Sequence, residues 1–348
     1  MQDLRSLLSQ EYSLAMAPGF FRVYAHVGLM HALEDNGLLH PVAVCGSSAG
    51  AMSAGFYAAG LQPSEMIQKI LAIDRAAMWD VSFGLGLLKG EKLRRCIDDQ
   101  LPNKTFESCA KRGCRLGMTA WDVFSGFQTK SFHTGNIAEN MCASACFPGL
   151  FQPRVIAGRP YIDAGLSDDC GMISLPCLPQ SSKLIVNFLV DVEVVTPYTD
   201  AVPLSYQEEG AMLLTICCNG LPQTNPFNMT TAGKQSYESA KAAMDAALND
   251  DRCHVMKLPG QHWAVYVDCK EIELNMSVPS SSSEGKRAKR GRGQEQEKEQ
   301  RDLSKCTKEN SVEEKEAEGG QNSIRKRSSS PASEATKRRR KRKEIKSK

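Results

Sequence analysis

The sequence contains no apolar run approaching the roughly 18 residues that cross a bilayer, so an integral membrane protein is not expected. It also lacks an HExxH motif, an EF-hand loop, and any pair of Cys-x-x-Cys clusters at zinc spacing. No metal or other cofactor is therefore expected. The 13 cysteines, an odd number scattered from Cys45 to Cys306, make no disulfide framework and read as small buried hydrophobes of a reducing compartment. Asp3 and Glu11 lie in an N-terminus with no basic start before an apolar stretch, unlike a secretory signal, which predicts an intracellular chain. Aromatic residues are only 7% of the chain, yet 41% hydrophobic content in 348 residues is enough for a sizeable core.

The net charge is small, at +3, but that value is a cancellation. Residues 278–348 hold 22 Lys/Arg against 12 Asp/Glu, net +10, which leaves 21 basic and 28 acidic residues, net −7, in the remainder. The basic stretch has almost nothing to bury, and its Ser, Glu, Lys and Gln content predicts a disordered tail after a folded domain over residues 1–277. Its clusters KRAKR, RKR and KRRRKRK suit a nuclear-import receptor, nucleic-acid phosphates or an anionic lipid surface; a merely solvated tail is the alternative. The composition gives no ground for a specific nucleic-acid partner.

The body reads as alternating helix and strand. Val23, Val27 and Met30 recur at helical spacing before an Asn36-Gly37 stop, and Val42–Cys45 is a short apolar strand. A small-residue helix is expected over Gly50–Ala59 and another from Pro63, with Met66, Ile67, Ile70 and Leu71 on one face. Further strands are expected at Leu116–Val123, Phe127–Phe132, around Val155, at Tyr161–Asp163 and at Leu184–Val190, with a last long helix over residues 231–248. This alternation predicts an α/β layered domain.

The chemistry lies in VAVCGSSAGAMSAG, where Gly46-Ser47-Ser48-Ala49-Gly50 matches GxSxG between an apolar strand and a small-residue helix. A nucleophile elbow needs small residues two positions either side of the serine, since larger side chains would clash in the sharp turn. Ser48 is the candidate nucleophile, with Gly46 and Gly50 supporting the motif, and the helix start would favour a developing oxyanion. The late histidines His254 and His262 occupy no suitable loop and read as surface or packing residues. Asp163 in RPYIDAGLSDD ends an expected strand, with small residues after it, Gly165 among them. Burial can raise a carboxylate's pKa enough to make it a base.

Four ordered blocks, LAMAPGFFRVYAHVGLMHALEDNG, FGLGLLKGEKL, ASACFPGLFQP and YIDAGL, together with GxSxG, make residues 12–250 resemble the patatin-like phospholipases. The resemblance implies a three-layer α/β/α domain with a mostly parallel central sheet and a Ser48–Asp163 catalytic dyad. It further implies an oxyanion hole from the loop that is GGGxRG in the family. Here that loop reads Pro18, Gly19, Phe20, Phe21, Arg22, Val23, and only Gly19 and Arg22 match. Pro18 has no N–H, whereas Gly19, Phe20 and Phe21 each keep one, so the hole is altered rather than lost. A positive φ at Phe20 would carry strain of about 1–3 kcal/mol. DAG in place of DGG puts Ala164 where glycine usually lies, which is tolerable at negative φ.

The expected function is hydrolysis of lipid acyl esters through an acyl-enzyme on Ser48, with Asp163 as base and N–H groups at Gly19 and Phe20 holding the oxyanion. Arg22 would add positive charge or contact a phosphate head group. The apolar FGLGLL, Phe83 to Leu88, would line the acyl site, touch a membrane, or pack as a buried loop. The alternatives are a degenerate family member that binds acyl ligands without turnover, and a nucleic-acid or chromatin partner acting through the tail. Cytosol plus nucleus, with peripheral membrane association, is the expected location.

Overall fold

The computed structural model describes residues 3–269 apart from 74, 179–181, 193 and 251–254; the basic stretch 278–348 and His254 lie outside the described residues. Among the described residues twelve strands are formed: β1 Tyr12–Met16, β2 Ala43–Ser47, β3 Gly86–Leu88, β4 Arg115–Asp122, β5 Gln128–Phe132, β6 Gly149–Phe151, β7 Arg154–Ile156, β8 Arg159–Ile162, β9 Leu184–Val190, β10 Met212–Asn219, β11 Met256–Leu258 and β12 His262–Asp268. Ten of them make one sheet in the order β11-β12-β10-β9-β1-β2-β4-β8-β7, with β5 also paired to β4, while β3 and β6 pair separately.

The central six strands, β12 to β4 in that order, run parallel, and the antiparallel pairings lie at the margins. From β1 the chain builds outward through β2 and β4 on one side, then returns to lay β9, β10 and β12 on the other. This reversal between β1 and β9 opens a crevice at the carboxyl ends of the strands, where α/β sheets bind ligands.

Period-two alternation drives this arrangement, because successive strand residues face opposite sides of the sheet. Leu14, Met16, Val44, Val186 and Phe188 enter one core, covered by the helices Val23–Asp35, Ala49–Ala58 and Met229–Asn249. Ala15, Ala17, Ala43, Cys45 and Cys217 enter the other, with Cys170, Met172 and the short helices Tyr198–Ala201 and Leu204–Glu208. The three layers are therefore unequal. Small side chains on the second face let the loop after β8 lie close on the sheet, where Asn187 donates to the carbonyls of Ala15 (3.1 Å) and Cys170 (2.8 Å).

The expected elements form, with small shifts at their ends. The small-residue helix starts at Ala49, and the last helix runs Met229–Asn249. Gln62 and Glu65 close a capping box around Pro63. Of the 11 cysteines described, eight are buried and all are free thiols.

Candidate active site

Two strands of the sheet, β2 and β8, which flank β4, deliver the first two parts of the site. β2 ends at Ser47, Ser48 turns with φ 51° and ψ −116°, and the helix Ala49–Ala58 begins at once. Positive φ at a serine is strained, and such conformations persist only where the surroundings over-determine them. Here the over-determination is steric: a Cβ on Gly46 would lie 2.3 Å from the Gly50 carbonyl carbon, and one on Gly50 would lie 1.9 Å from the Met16 carbonyl oxygen. The backbone N–H of Ser48 donates to Ser144 Oγ at 2.8 Å, which fixes the turn from the end of the helix Ile137–Ser144.

Asp163 follows β8 directly. Its Oδ2 accepts the Ser48 hydroxyl at 2.6 Å, and its Oδ1 accepts the Gly165 N–H at 2.7 Å. Both side chains are buried. Burial raises the Asp163 pKa, and the bonds from Ser48 and Gly165 partly oppose the rise. The result is a carboxylate with a stronger appetite for a proton, already in contact with the hydroxyl it would deprotonate. Gly165 also makes room, since a Cβ there would meet Pro18 at 2.8 Å. Ala164 is buried and keeps a negative φ, so the DAG sequence fits without strain.

The loop after β1 supplies the third part. Gly19 adopts φ 140° and Phe20 φ 34°, followed by a tight turn in which Arg22 N–H donates to the Gly19 carbonyl at 2.8 Å. The N–H groups of Gly19, Phe20 and Phe21 have no hydrogen-bond partner among the described residues. Arg22 lies over Gly19, with its Nε 3.9 Å from Asp191 Oδ2. Phe20 is exposed and packs on Phe147, ring centroids 4.8 Å apart, whereas Phe21 packs against the core.

Ser48, Asp163, Gly19, Phe20 and Arg22 all line one cavity of about 420 Å³. Its walls are apolar, with Met52, Ile70, Ile73, Leu93, Leu150 and Phe151 among them. Neither described histidine that is fully buried competes for the role of base. His262 lies in β12 and bonds Thr215 at 2.8 Å, while His26 sits 3.4 Å from Ser53 with a pKa lowered to about 3 by burial and by Arg22. Of the FGLGLL segment, only Leu88 is a buried large side chain; Phe83, Leu85 and Leu87 face solvent and do not line the cavity.

The positions that sequence reasoning missed lie around Ser48 and Asp163. Ser144, within the ASACFPGLFQP block, holds the elbow. Asp168 holds the loop that carries Asp163: its Oδ2 accepts from Thr119 Oγ1 at 2.7 Å, and its Oδ1 from the N–H groups of Met172 (2.9 Å) and Ile173 (3.3 Å). Burial lifts its pKa from 3.8 to about 6. A carboxyl whose pKa is raised on folding contributes stability that is complete below the unfolded value and is lost as pH rises through the folded one. Asp168→Asn keeps an acceptor for the two N–H groups and cannot ionise. Urea melts should show the variant gaining about 1 kcal/mol on the wild type between pH 5 and pH 7; a pH-independent difference would contradict this.

A serine on a strand-to-helix elbow, bonded directly to a buried carboxylate at the carboxyl edge of a mostly parallel sheet, defines an α/β protein with a Ser–Asp pair. Residues 14–175 match the family model described as patatin-like phospholipase. Uncharacterized NTE family proteins of Mycobacterium bovis and Mycobacterium tuberculosis are 26% identical over 214 residues, 58% of this chain and 54% of theirs. The chain thus spans about half the length of those curated relatives. Among solved structures, the heterodimeric ExoU–SpcU complex of Pseudomonas aeruginosa aligns at 18% identity and a TM-score of 0.39, over 67% of this chain and 51% of that one. VipD from Legionella pneumophila aligns at 12% identity and a TM-score of 0.36, over 79% and 63% respectively.

Proposed function

We propose that this protein hydrolyses the acyl ester bonds of lipids through an acyl-enzyme on Ser48, with Asp163 as general base. The observation that carries the reading is the 2.6 Å bond from Ser48 Oγ to Asp163 Oδ2 inside an apolar cavity of about 420 Å³. Ser48 Oγ attacks the ester carbonyl carbon as Asp163 takes the hydroxyl proton. The tetrahedral oxyanion meets the N–H groups of Gly19 and Phe20, which have no competing partner among the described residues. Asp163 then gives its proton to the departing alcohol. In the second half a water attacks the acyl-Ser48 carbonyl, Asp163 takes its proton, and the proton returns to Ser48 as the carboxylic acid leaves.

The apolar walls favour an acyl chain as the bound part, and Arg22 at the cavity favours an anionic head group. The test uses a fluorophosphonate probe and a panel of phospholipids, acylglycerols and aryl esters, with wild type and Ser48→Ala side by side. Wild type should label at Ser48 and turn over at least one lipid class, and Ser48→Ala should lose both, with turnover down by about 10³-fold or more. Folded wild type that binds acyl lipids yet resists the probe would make the protein an acyl-ligand binder instead.

A further inference from the structure

The segment between the helices Arg75–Met78 and Glu91–Gln100 is a built hairpin. Val81 bridges Leu88 antiparallel, Ser82 N–H donates to the Leu87 carbonyl at 3.1 Å, and Lys89 N–H donates to the Asp80 carbonyl at 3.0 Å. Asp80 pins its base by accepting from the N–H groups of Gly90 and Lys92, each at 2.9 Å. On its other side β3 lies parallel to β6, with Gly86 so close that a Cβ would sit 2.3 Å from the Phe151 carbonyl.

This hairpin alternates in the opposite sense to an ordinary surface strand. Val81, Phe83, Leu85 and Leu87 are 56%, 104%, 82% and 48% exposed, while Leu88 is 1% exposed. Single exposed apolar residues are commonplace, but Phe83, Leu85 and Leu87 follow one another over the turn and along β3 of a fixed hairpin, with Val81 exposed on the facing strand, and such a concentration of exposed apolar side chains marks an interaction surface. From Phe83 to Leu87 the intervening residues are Gly84 and Gly86, so the tip offers no polar side chain for hydrogen bonds to a protein partner; Ser82 lies below it, its N–H held by the Leu87 carbonyl.

The hairpin also stands on the wall of the Ser48 cavity. Met78 before it, Leu93 after it, and Leu150 and Phe151 of its partner β6 all line that cavity. Phe20, Phe147 and Leu166, which line it as well, are exposed large apolar side chains. Lys89 and Lys92 are exposed at the hairpin base, where an apolar tip sunk among acyl chains would leave them level with lipid phosphates.

We propose that the hairpin Val81–Leu87 inserts into a lipid surface and so presents the Ser48 cavity to acyl chains still packed in that surface. The proposal rests on the lipid-hydrolase reading for its purpose, but binding is measured without turnover. The test is partition of the full chain onto extruded phosphatidylcholine vesicles at high salt, which screens the basic tail. Phe83→Ser/Leu85→Ser should partition on the order of a hundredfold more weakly, since two large side chains lose their apolar insertion. Hydrolysis of a water-soluble short-chain aryl ester should be unchanged, and Leu204→Ser, which removes another exposed leucine from the helix Leu204–Glu208, should bind as wild type. Ser48→Ala should bind vesicles fully, so loss of activity and loss of docking are read separately. A single Phe83→Trp change should add a blue-shifted fluorescence component on vesicles. Wild-type partition by the double variant, or no shift at residue 83, would overturn the proposal. So would a wild-type dimer that the double variant renders monomeric with vesicle binding intact, for the hairpin would then join two copies of the chain.

Discussion

Asp163→Asn is expected to fold normally and to hydrolyse acyl esters about 10³- to 10⁴-fold more slowly, with little change in KM. The substitution conserves volume, and Asn Oδ1 can still accept the Gly165 N–H that Asp163 accepts at 2.7 Å. What changes is the partner of Ser48. The carboxylate oxygen that accepts its hydroxyl at 2.6 Å is replaced by an amide nitrogen that donates, so the serine oxygen faces no base. A variant retaining activity within tenfold of wild type would remove Asp163 from the mechanism.

The pH dependence separates this loss from misfolding. Burial raises the Asp163 pKa, so wild-type kcat/KM should fall on the acid side from a pH above the ordinary carboxylate range, and the variant's residual rate should lack that limb. Stability runs the other way. Because the folded state holds the Asp163 proton more tightly than the unfolded chain, ionisation costs stability as pH rises through the folded pKa. The Asn variant is free of that cost and should melt at or above the wild-type temperature at neutral pH, the gap closing in acid. Asp168 adds a cost of the same sign, so the loop that carries Asp163 is least stable under the conditions in which an ionised Asp163 would serve as a base.

The sequence made the elbow legible because its logic is local. An apolar strand, GxSxG and a small-residue helix are contiguous, and the crowding that demands Gly46 and Gly50 is generated within a few residues. Asp163 lies 115 residues away and is joined to Ser48 only by the sheet, so a resemblance in ordered blocks was needed to pair them. Among the strands of the main sheet that were not expected, β1 and β10 lie inside its parallel part, and β12 lies beside the edge strand β11. Met212–Asn219 is buried on both faces and shows no period-two pattern by which to tell it from a buried helix segment. Ser144, Asp168 and Asn187 carry no sequence signal of their own, because Ser144 meets the Ser48 N–H only once the helix Ile137–Ser144 packs beside the elbow, and what Asp168 and Asn187 hold is fixed only after the β8 loop folds back over the sheet. The FGLGLL alternation was plain, but the side it turns to water depends on β3 pairing with β6.

Gly50→Ala is expected to be severely damaging, lowering stability by about 3 kcal/mol and kcat by about 10²-fold or more. The reason is closeness of backbone, since the added carbon would lie 1.9 Å from the Met16 carbonyl oxygen, 2.6 Å from its carbon and 2.9 Å from the Ala17 oxygen. Met16 cannot retreat, because it is held in register with Gly46 of β2 on one side and Phe188 of β9 on the other. The helix Ala49–Ala58 must therefore move, and Ser48, at its N-terminus with φ 51°, moves with it. A shift of a few tenths of an ångström along that axis breaks the 2.6 Å contact with Asp163 and misplaces Oγ relative to the Gly19–Phe20 loop. Gly37→Asn is the matched control: its φ of 68° suits asparagine and a Cβ there meets nothing within 4 Å, so melting temperature and kcat should stay near wild type. Equal damage at both positions would mean that glycine's flexibility matters at the elbow, and normal activity in Gly50→Ala would mean that the elbow does not set the serine's geometry.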